Sequence, residues 1–359
     1  MKKTFREVTL DEFKAFTAEC SAKNYMQDSA MMRRYQKNGR ESYLLGLFAG
    51  NTLVVAGIMS VIYERFGRKI FTFSRGPLFD PAHHEDFYDF LMHCKTFAKS
   101  KSGSVLQISP SLLCPDAPQD FSKKLKSLGF KYLGEYEQVK WIYALDFSKI
   151  DDLPPRKPTS KRTPVLEPSL EPDLEQKLLR HFRRDHRYTI KYAAERYGLK
   201  LRELSPSEYQ ILLDQVAESG KVHGFVPRDL KFFEQMKDAF SDDVVAIAAE
   251  MPDGTPIAAA FFILTGDEVI YLSSGFSREF KKLGAPHLIQ WAMIRFAYAN
   301  GYRKYNFWGT NPDPENGVYK FKQGFHGELE EFVGTYAAGL DIFGKIYLLK
   351  LHAREQRDL

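Results

Sequence analysis

The chain has 359 residues, of which 44% are hydrophobic and 27% are charged, and its formal net charge is +5. This composition predicts two domains of ordinary size or one large one, and it permits an anionic partner without requiring one. The three cysteines lack metal-type spacing, and their small, odd number argues against a disulfide scaffold. We find no secretory leader and no apolar run long enough to span a membrane, so we expect a cytoplasmic protein, for which peripheral membrane contact stays open.

The first part of the chain predicts a mixed sheet with helices packed on it. Thr9 is placed to cap a helix whose apolar residues follow helical spacing. Residues 42–49 and 52–59 flank Gly50-Asn51 and predict a β-hairpin. The elements that follow are a strand at 70–74, a helix at 84–99 and a strand at 104–109.

Residues 151–172 form the clearest break in the pattern, because this short stretch contains six prolines and interspersed charges. Proline fixes φ and removes a backbone donor, so the segment is predicted to be a linker or an extended surface strap.

A second unit then follows with a similar order of elements. Its predicted elements are helices at 174–197, 208–218 and 228–240, a hairpin at 244–250 and 256–264, a strand at 268–274, a helix at 285–300 and a strand at 304–308. The hairpin, strand, helix, strand order repeats that of the first half. The sequence therefore predicts an α/β fold class in which one fold, a mixed sheet flanked by helices, is used twice.

The segment from Ser277 to Pro286 places a basic turn between a strand and a helix. N-acetyltransferase folds use such a turn to hold the pyrophosphate of coenzyme A on free N–H groups of the helix. Here the turn has one glycine, Gly284, and Pro286 has no N–H to offer. The order of elements thus favours the acetyltransferase fold, the turn argues against coenzyme A, and no cofactor is predicted.

Basic side chains cluster on the helix predicted at 174–197. Arg183, Arg187 and Lys191 lie at i, i+4 and i+8 and share one face, and Arg184 adds to its charge. This pattern suits nucleic-acid phosphates, although an ordinary solvated helix face would look the same.

Arg228 follows a proline at the start of another predicted helix. An arginine there adds its planar fork to the free backbone donors, which suits a diphosphate. The alternative is a surface arginine paired with Asp229. The histidines are scattered without metal-type pairing, so no metal is predicted, and neither a Walker A motif nor a serine nucleophile elbow occurs.

The most informative passage lies near the C-terminus, where a short β-rich run leads through a loop into Tyr319-Lys-Phe-Lys-Gln-Gly-Phe325. Amphipathic packing alone does not require Lys320 and Lys322 between aromatic residues. A lysine stem can lie along aromatic faces while its ammonium reaches into a cleft. Such a cation suits a reaction in which negative charge develops on a substrate oxygen.

With these residues in view, the chain resembles the Fem-type (FemABX) aminoacyltransferases, which form peptidoglycan cross-bridges. The last of four matching passages is the most specific, and the four are Tyr25–Tyr35, Phe73–Asp80 with its Arg-Gly-Pro, the basic helix Arg183–Gly198, and Tyr319–Gly334. The resemblance implies two tandem acetyltransferase-like (GNAT) domains. They would comprise 1–150 with 334–359, a linker at 151–172, and 173–333.

The resemblance also implies the reaction. The donor would be aminoacyl-tRNA, and the acceptor would be the side-chain amine of the third stem-peptide residue on a nucleotide- or lipid-linked muramyl precursor. In the family, the lysine of the Phe-Lys pair is thought to stabilise the tetrahedral oxyanion, which corresponds here to Lys322 beside Phe321. The resemblance places the acceptor with Arg33 and Arg228 at its diphosphate and with Tyr271, Phe232, Ser109, Tyr319 and Lys320 as further contacts. It places tRNA phosphates on Arg183, Arg184, Arg187 and Lys191.

The sequence departs from the family pattern at several positions. Ser109 stands where some members carry an acid, which favours positioning over general base catalysis by the protein. Met31 replaces a usual tryptophan, and Ser273 sits where an aromatic would be. Glu203 and Arg228 are too close in sequence to enclose the helical arm of some members, so an arm-less subtype is predicted.

Two other functions remain as alternatives. One is a coenzyme A-dependent N-acyltransferase, and the other is a non-catalytic protein that binds tRNA or a cell-wall precursor. The transferred amino acid, the carrier of the acceptor, the position in the bridge, the proton-accepting group and the oligomeric state leave no signature in the sequence.

Overall fold

A computed structural model describes residues 2–20, 23–64, 67–159, 162–223 and 226–355. The chain forms two compact units, one comprising Met1–Lys140 with Glu331–Leu359 and the other comprising Trp141–Glu330. We call them unit 1 and unit 2. Residues 160, 161 and 356–359, which belong to the predicted linker and to the predicted return of the chain, lie outside the described residues.

The described strands, in chain order, are β1 (Lys3–Glu7), β2 (Ser42–Ala49), β3 (Thr52–Glu64), β4 (Arg68–Ser74), β5 (Leu78–Phe79), β6 (Gly103–Ser109), β7 (Lys131–Tyr132), β8 (Trp141–Asp146), β9 (Lys200–Glu203), β10 (Val244–Glu250), β11 (Pro256–Thr265), β12 (Glu268–Phe276), β13 (Lys304–Gly309), β14 (Glu328–Glu331) and β15 (Tyr336–Gly339). The described α-helices are α1 (Leu10–Glu19), α2 (Ser29–Lys37), α3 (His84–Ser100), α4 (Phe121–Ser127), α5 (Pro172–His181), α6 (Arg184–Glu195), α7 (Tyr209–His223), α8 (Leu230–Phe240), α9 (Ala285–Ala299), α10 (Gly317–Gln323) and α11 (Ile342–Glu355).

Unit 1 is a mixed sheet in the order β1-β2-β3-β4-β6-β15-β7, with β5 beside β3. Among the described strand pairs of this sheet, β4 and β6 alone run parallel, because the crossover helix α3 returns the chain to the end of the sheet at which β4 began. Side chains alternate between the two faces of these strands. Phe71 and Leu106 pack on α3, whereas Ile70 and Val105 pack with Leu348 of α11 on the other face.

A buried glutamine connects two of the conspicuous sequence passages. Strand β3 pairs with β5 at Val55 and Ala56 and with β4 from Ser60 onward, so Ile58 lies where the partner changes. The Gln27 side chain accepts a hydrogen bond from Ile58 N at 2.7 Å and donates to Ser74 O at 2.8 Å. Gln27 and Ser74 therefore meet because the backbone N–H of Ile58 and the backbone C=O of Ser74 need hydrogen-bond partners.

Unit 2 repeats the arrangement with the order β14-β8-β13-β12-β11-β10-β9. Its parallel pair is β12 and β13, joined by the crossover helix α9. Helix α9 is apolar on nearly every face and is buried beneath α6. Helices α7 and α8 pack on the other side of the sheet, where Tyr209 of α7 and Phe233 of α8 contact Phe261 of β11.

The structure differs from the sequence prediction at three places. The helix predicted at 174–197 is two helices, because Phe182 and Arg183 adopt extended conformations between α5 and α6. The boundaries of unit 2 lie at Trp141 and Glu330 rather than after residue 150 and at residue 333, the first of them because β8 pairs with β13 of unit 2. The proline-rich segment 151–172 belongs to unit 2, where Val165 is buried in the core.

Candidate active site

The two parallel strands of unit 2 separate part-way along their length. They pair from Glu268 to Ile270 on β12 and from Lys304 to Asn306 on β13. Beyond this point β12 continues beside β11 to Phe276, while β13 continues beside β8 to Gly309. A wedge therefore opens between two strands that would otherwise hydrogen-bond to each other.

A pocket of about 750 Å³ fills this wedge, a size typical of ligand sites. Gly275 forms part of its wall, and a Cβ there would lie 2.0 Å from Gln215 O, so only glycine allows this approach of α7. The lining comprises Tyr271–Phe276 of β12, Phe307–Gly309 of β13, Gly317, Val318, Phe321 and Lys322 of α10, Pro286 and His287 of α9, Ser219 of α7, and Lys281 and Lys282.

Lys322 is the buried cation of this pocket. Its side chain is 4% exposed, and its ammonium donates hydrogen bonds to Trp308 O at 3.2 Å and to Gly309 O. Within the described part of the chain no carboxylate pairs with it, and burial lowers the pKa of Lys322 to about 7. Its charge is therefore not neutralised by a fixed anion and is available to negative charge that forms in the pocket.

Helix α10 is held in place by the start of α6. The His186 Nε2–H donates to Phe321 O at 2.9 Å, and Arg183 N–H donates to Gly324 O at 2.9 Å. A Cβ on Gly324 would lie 2.1 Å from the His186 ring, so the two elements are in close contact. The break between α5 and α6 thus frees the Arg183 N–H to position the helix that carries Lys322.

His287 is a pocket residue that the sequence analysis treated only as one of several scattered histidines. Its ring packs against those of His186 and Phe321 at centroid distances of 4.5 and 4.9 Å. Burial lowers its pKa to about 3, and its Nδ1 has no hydrogen-bond partner among the described residues. The imidazole is therefore neutral at physiological pH. Its place at the first turn of α9, just after Pro286, is the signal that could have identified it.

Three of the predicted site residues meet in the pocket, namely Tyr271, Phe321 and Lys322. Burial raises the pKa of Tyr271 to about 12, so its hydroxyl stays protonated. Ser273, which replaces an aromatic of the family pattern, lies in the same wall. A neutral hydroxyl, an aromatic ring and an ammonium group thus share one cavity.

Other predicted acceptor contacts of unit 2 lie outside this pocket. The exposed Lys320 pairs with Glu315 at 2.9 Å, and Tyr319 packs edge-on against Tyr143. The Arg228 guanidinium lies 4.2 Å from the centroid of the Phe232 ring at the start of α8. These two residues therefore form a cation–π pair, and their roles in acceptor binding stay predictions.

The two predicted acceptor contacts of unit 1 have different surroundings. Arg33 is exposed on α2, with its guanidinium 3.4 Å from Ser29 Oγ. Ser109 is buried at the end of β6, where its hydroxyl hydrogen-bonds the Thr335 hydroxyl at 2.9 Å. The roles assigned to these residues by the resemblance stay predictions.

The predicted tRNA residues lie at or near the surface of α6 or at its start. Arg183 binds Asp185 through two hydrogen bonds of 2.8 Å, Arg187 donates to Arg180 O, and Lys191 lies 3.7 Å from Glu195. The fourth residue, Arg184, lies over the ring of Tyr188.

Arg184 begins a surface row that the sequence analysis did not identify. Tyr188, Tyr192 and Arg196 follow it at intervals of four residues. The two rings are 6.1 Å apart, and each tyrosine is 45% exposed. Arg184 and Arg196 lie 5.4 and 6.0 Å from the rings of Tyr188 and Tyr192. The row presents to solvent two neighbouring rings with a cation at each end.

The start of α9 differs from a pyrophosphate cradle. Pro286 removes one N–H from the first turn, and the side chains of Pro286 and His287 line the pocket there. Gly284 packs against α6, where a Cβ would lie 2.5 Å from the Thr189 side chain. The helix start thus offers an imidazole to the pocket in addition to its few remaining backbone donors.

Comparisons with known proteins agree with this architecture. The FemAB family model matches residues 8–154, 168–253 and 245–341. Aminoacyltransferase FemA of Staphylococcus aureus (strain bovine RF122 / ET3-1) is 25% identical over 399 residues, which cover 92% of this chain and 94% of that protein.

Solved structures share the fold. The crystal structure of FemX superposes with a TM-score of 0.77 at 18% identity, covering 98% of this chain and 100% of the other. A tandem GNAT protein from the clavulanic acid biosynthesis pathway gives a TM-score of 0.56 at 11% identity, covering 95% of this chain and 99% of the other. The predicted tandem acetyltransferase-like fold is confirmed.

Proposed function

Because the chain belongs to the FemAB family, we propose that it is an aminoacyltransferase that moves an amino acid from aminoacyl-tRNA to an amine of a peptidoglycan precursor. The observation that carries this proposal is the buried, unneutralised ammonium of Lys322 in the wedge between β12 and β13. A reaction that forms an oxyanion needs such a group, and a domain that only binds RNA or precursor does not. We place the reaction in the cytoplasm, in keeping with the three free cysteines.

The chemistry begins when the neutral acceptor amine attacks the ester carbonyl carbon of the aminoacyl-tRNA. A C–N bond forms, and the carbonyl π electrons move to oxygen, where the Lys322 ammonium stabilises them. Collapse of this intermediate breaks the ester C–O bond. The proton lost by the amine leaves with the ribose oxygen, so that an amide and free tRNA result. The neutral groups of Tyr271 and His287 can hydrogen-bond the ester end without competing for the charge of Lys322.

Coenzyme A is a weaker candidate for the donor. The start of α9 lacks the Pro286 N–H, and its first turn carries side chains that line the pocket. An ester at the 3′ end of RNA does not require a pyrophosphate cradle at this position. Arg33 and Arg228 are our proposed ligands of the acceptor diphosphate. The group that accepts the proton from the amine is part of the same proposed reaction.

The function is tested by incubating the full chain with a mixed pool of charged tRNAs and muramyl pentapeptide, supplied in nucleotide-linked and lipid-linked form. We expect a mass increase of one amino-acid residue on an acceptor, measured by mass spectrometry. Uncharged tRNA is the control. Acetylation of the acceptor by acetyl-coenzyme A without tRNA would instead support the N-acyltransferase, and tRNA binding without transfer of any amino acid would support a non-catalytic role.

The row Arg184, Tyr188, Tyr192 and Arg196 supports α6 as the RNA-binding surface, because unpaired bases stack on tyrosine rings while arginines contact phosphate. We expect Tyr188→Ala to weaken tRNA binding about 5- to 150-fold through the loss of stacking. Arg184→Ala should reduce the slope of log affinity against log salt by about one. Fluorescence anisotropy across a salt series measures both effects.

The matched control is Tyr63→Ala, which removes an exposed tyrosine of unit 1. It should leave both the affinity and the salt slope unchanged. If the α6 variants and this control bind tRNA equally well, α6 is not the surface that RNA contacts.

A further inference from the structure

The last helix of unit 1 packs on the sheet with one face only. Gly344 lies so close to the sheet that a Cβ would be 1.8 Å from Ser104 O, and Leu348 is buried beside Ile70 and Val105. Asp341 caps the start of the helix by accepting hydrogen bonds from Gly344 N at 2.6 Å and from the Ser104 hydroxyl at 2.9 Å. The orientation of α11 is therefore fixed by its inner face.

The outer face of α11 is apolar. Ile342, Phe343, Ile346 and Leu349 are 64%, 65%, 44% and 57% exposed. They are four of the eleven exposed large hydrophobic residues found among the described residues, and the others are spread over many elements. At about 100° per residue, Ile342, Ile346 and Leu349 fall within roughly 60° of each other, with Phe343 beside them. They form a continuous stripe, which we call the α11 stripe.

Two lysines accompany the α11 stripe, namely Lys345 and Lys350. Both are exposed: Lys345 lies about 60° from Ile342 at one edge of the stripe, and Lys350 lies about 80° from Ile342 in the other direction, between Ile346 and Phe343 on the helical projection. Beyond Asp341, which the cap uses, the sequence has no acidic residue before Glu355. Nearby, the guanidinium of Arg68 lies 5.5 Å from the Tyr347 ring centroid. The surface is thus an apolar band with one cation at its edge and another among its apolar side chains.

We propose that the α11 stripe docks on the surface of an anionic phospholipid bilayer. Its apolar side chains would enter the interface, while Lys345 and Lys350 extend their apolar stems and place their ammonium groups among the lipid phosphates. The helix has 14 residues, too few to span a bilayer, and none of the described helices has the length and apolarity to do so. Peripheral attachment is the geometry that remains for this helix at a membrane.

Charge distinguishes this occupant from a second copy of the chain. A two-fold interface through the α11 stripe would bring the same surface of both copies together. The lysines of one copy would then face those of the other, and α11 itself has no acidic residue before Glu355 to pair with them. An anionic lipid surface supplies the missing negative charge to both lysines at once.

This inference goes beyond the proposed function, since vesicle binding needs neither tRNA nor transfer. The full chain is mixed with vesicles of phosphatidylcholine alone or of phosphatidylcholine with phosphatidylglycerol, and the bound fraction is measured by sedimentation. We expect binding to the anionic vesicles. The double variant Phe343→Ser/Leu349→Ser should lose at least about tenfold in affinity, because its apolar surface is reduced. Lys345→Gln/Lys350→Gln should lose roughly thirtyfold, and only on anionic vesicles.

Met92→Ser is the matched control, because it removes an exposed apolar residue of α3 and should not change vesicle binding. All variants should transfer to a soluble nucleotide-linked acceptor at the wild-type rate, which separates this test from that of the proposed function. Equal binding of wild type and both double variants would overturn the proposal. So would a dimer, detected by light scattering, that the same substitutions dissociate, because that result would assign the α11 stripe to a second copy.

Discussion

Lys322→Ala is expected to slow aminoacyl transfer by about 10²–10³-fold, which is the usual effect of removing a single oxyanion donor. The reason is the geometry of the wedge between β12 and β13, where the ammonium is buried and held by Trp308 O and Gly309 O. No other described lysine or arginine that lines the pocket is buried. Single-turnover kinetics with saturating aminoacyl-tRNA and acceptor would measure the transfer step itself.

Lys320→Ala is the matched control for this measurement. The residue is on the same short helix, but its side chain is exposed and pairs with Glu315. With both substrates saturating, we expect its transfer rate to remain within about twofold of wild type, since exposed ion pairs contribute little and the loss of an acceptor contact would weaken binding rather than slow transfer. A Lys322→Ala protein that binds tRNA normally and transfers at the wild-type rate would remove Lys322 from the mechanism.

The local part of the fold could be predicted from the sequence because its signals are local. Apolar runs on either side of Gly50-Asn51 and of Asp253-Gly254 gave both hairpins, β2 with β3 and β10 with β11. The repeated order of strands and helices then gave two mixed sheets. Neither result depends on contacts between distant parts of the chain.

The break between α5 and α6 could not be predicted in the same way. Helical apolar spacing continues through Phe182, and no proline or glycine interrupts it. The chain leaves the helix because Phe182 packs against Trp291 and Phe325 and because Arg183 N–H bonds to Gly324 O. Those partners are far away in sequence, so this tertiary contact overrides the local preference.

The candidate site was predictable to a similar extent. The interleaved lysines and rings identified α10. Side chains two positions apart on a helix point in directions that differ by roughly 200°, so Lys320 and Lys322 cannot both enter one pocket. Lys322 is the one that enters the pocket, because its ammonium hydrogen-bonds Trp308 O and Gly309 O at the end of β13. His186 and His287 gave no motif, because their roles depend on ring packing around Phe321 and not on sequence spacing.

Lys322→Met is expected to stabilise unit 2 near neutral pH, and the stabilisation should disappear as the pH rises. The substitution keeps an unbranched apolar stem and removes a charge that burial disfavours. The pKa of Lys322 is about 7 in the folded chain, against an ordinary value of 10.5. The difference of roughly 3.5 units corresponds to at most about 5 kcal/mol in the free energy of unfolding.

The sign follows from the protons bound in each state. Below pH 7 the lysine is protonated in both states, so the folded wild type bears the whole cost of the buried charge. Between pH 7 and 10.5 the unfolded chain binds more protons at this position than the folded chain does, so wild-type stability rises with pH. The advantage of Lys322→Met should therefore be largest at the acidic end of this window and close to zero at its alkaline end.

Tryptophan fluorescence during urea unfolding can follow unit 2 alone, because all three tryptophans, Trp141, Trp291 and Trp308, belong to it. Lys320→Met, the exposed control, should follow the wild type at each pH. A difference between Lys322→Met and wild type that stays constant across pH would mean that the ammonium is well solvated in the folded state. The two predictions for Lys322 would then fail together, since the desolvation that costs stability also strengthens the attraction between the ammonium and an oxyanion.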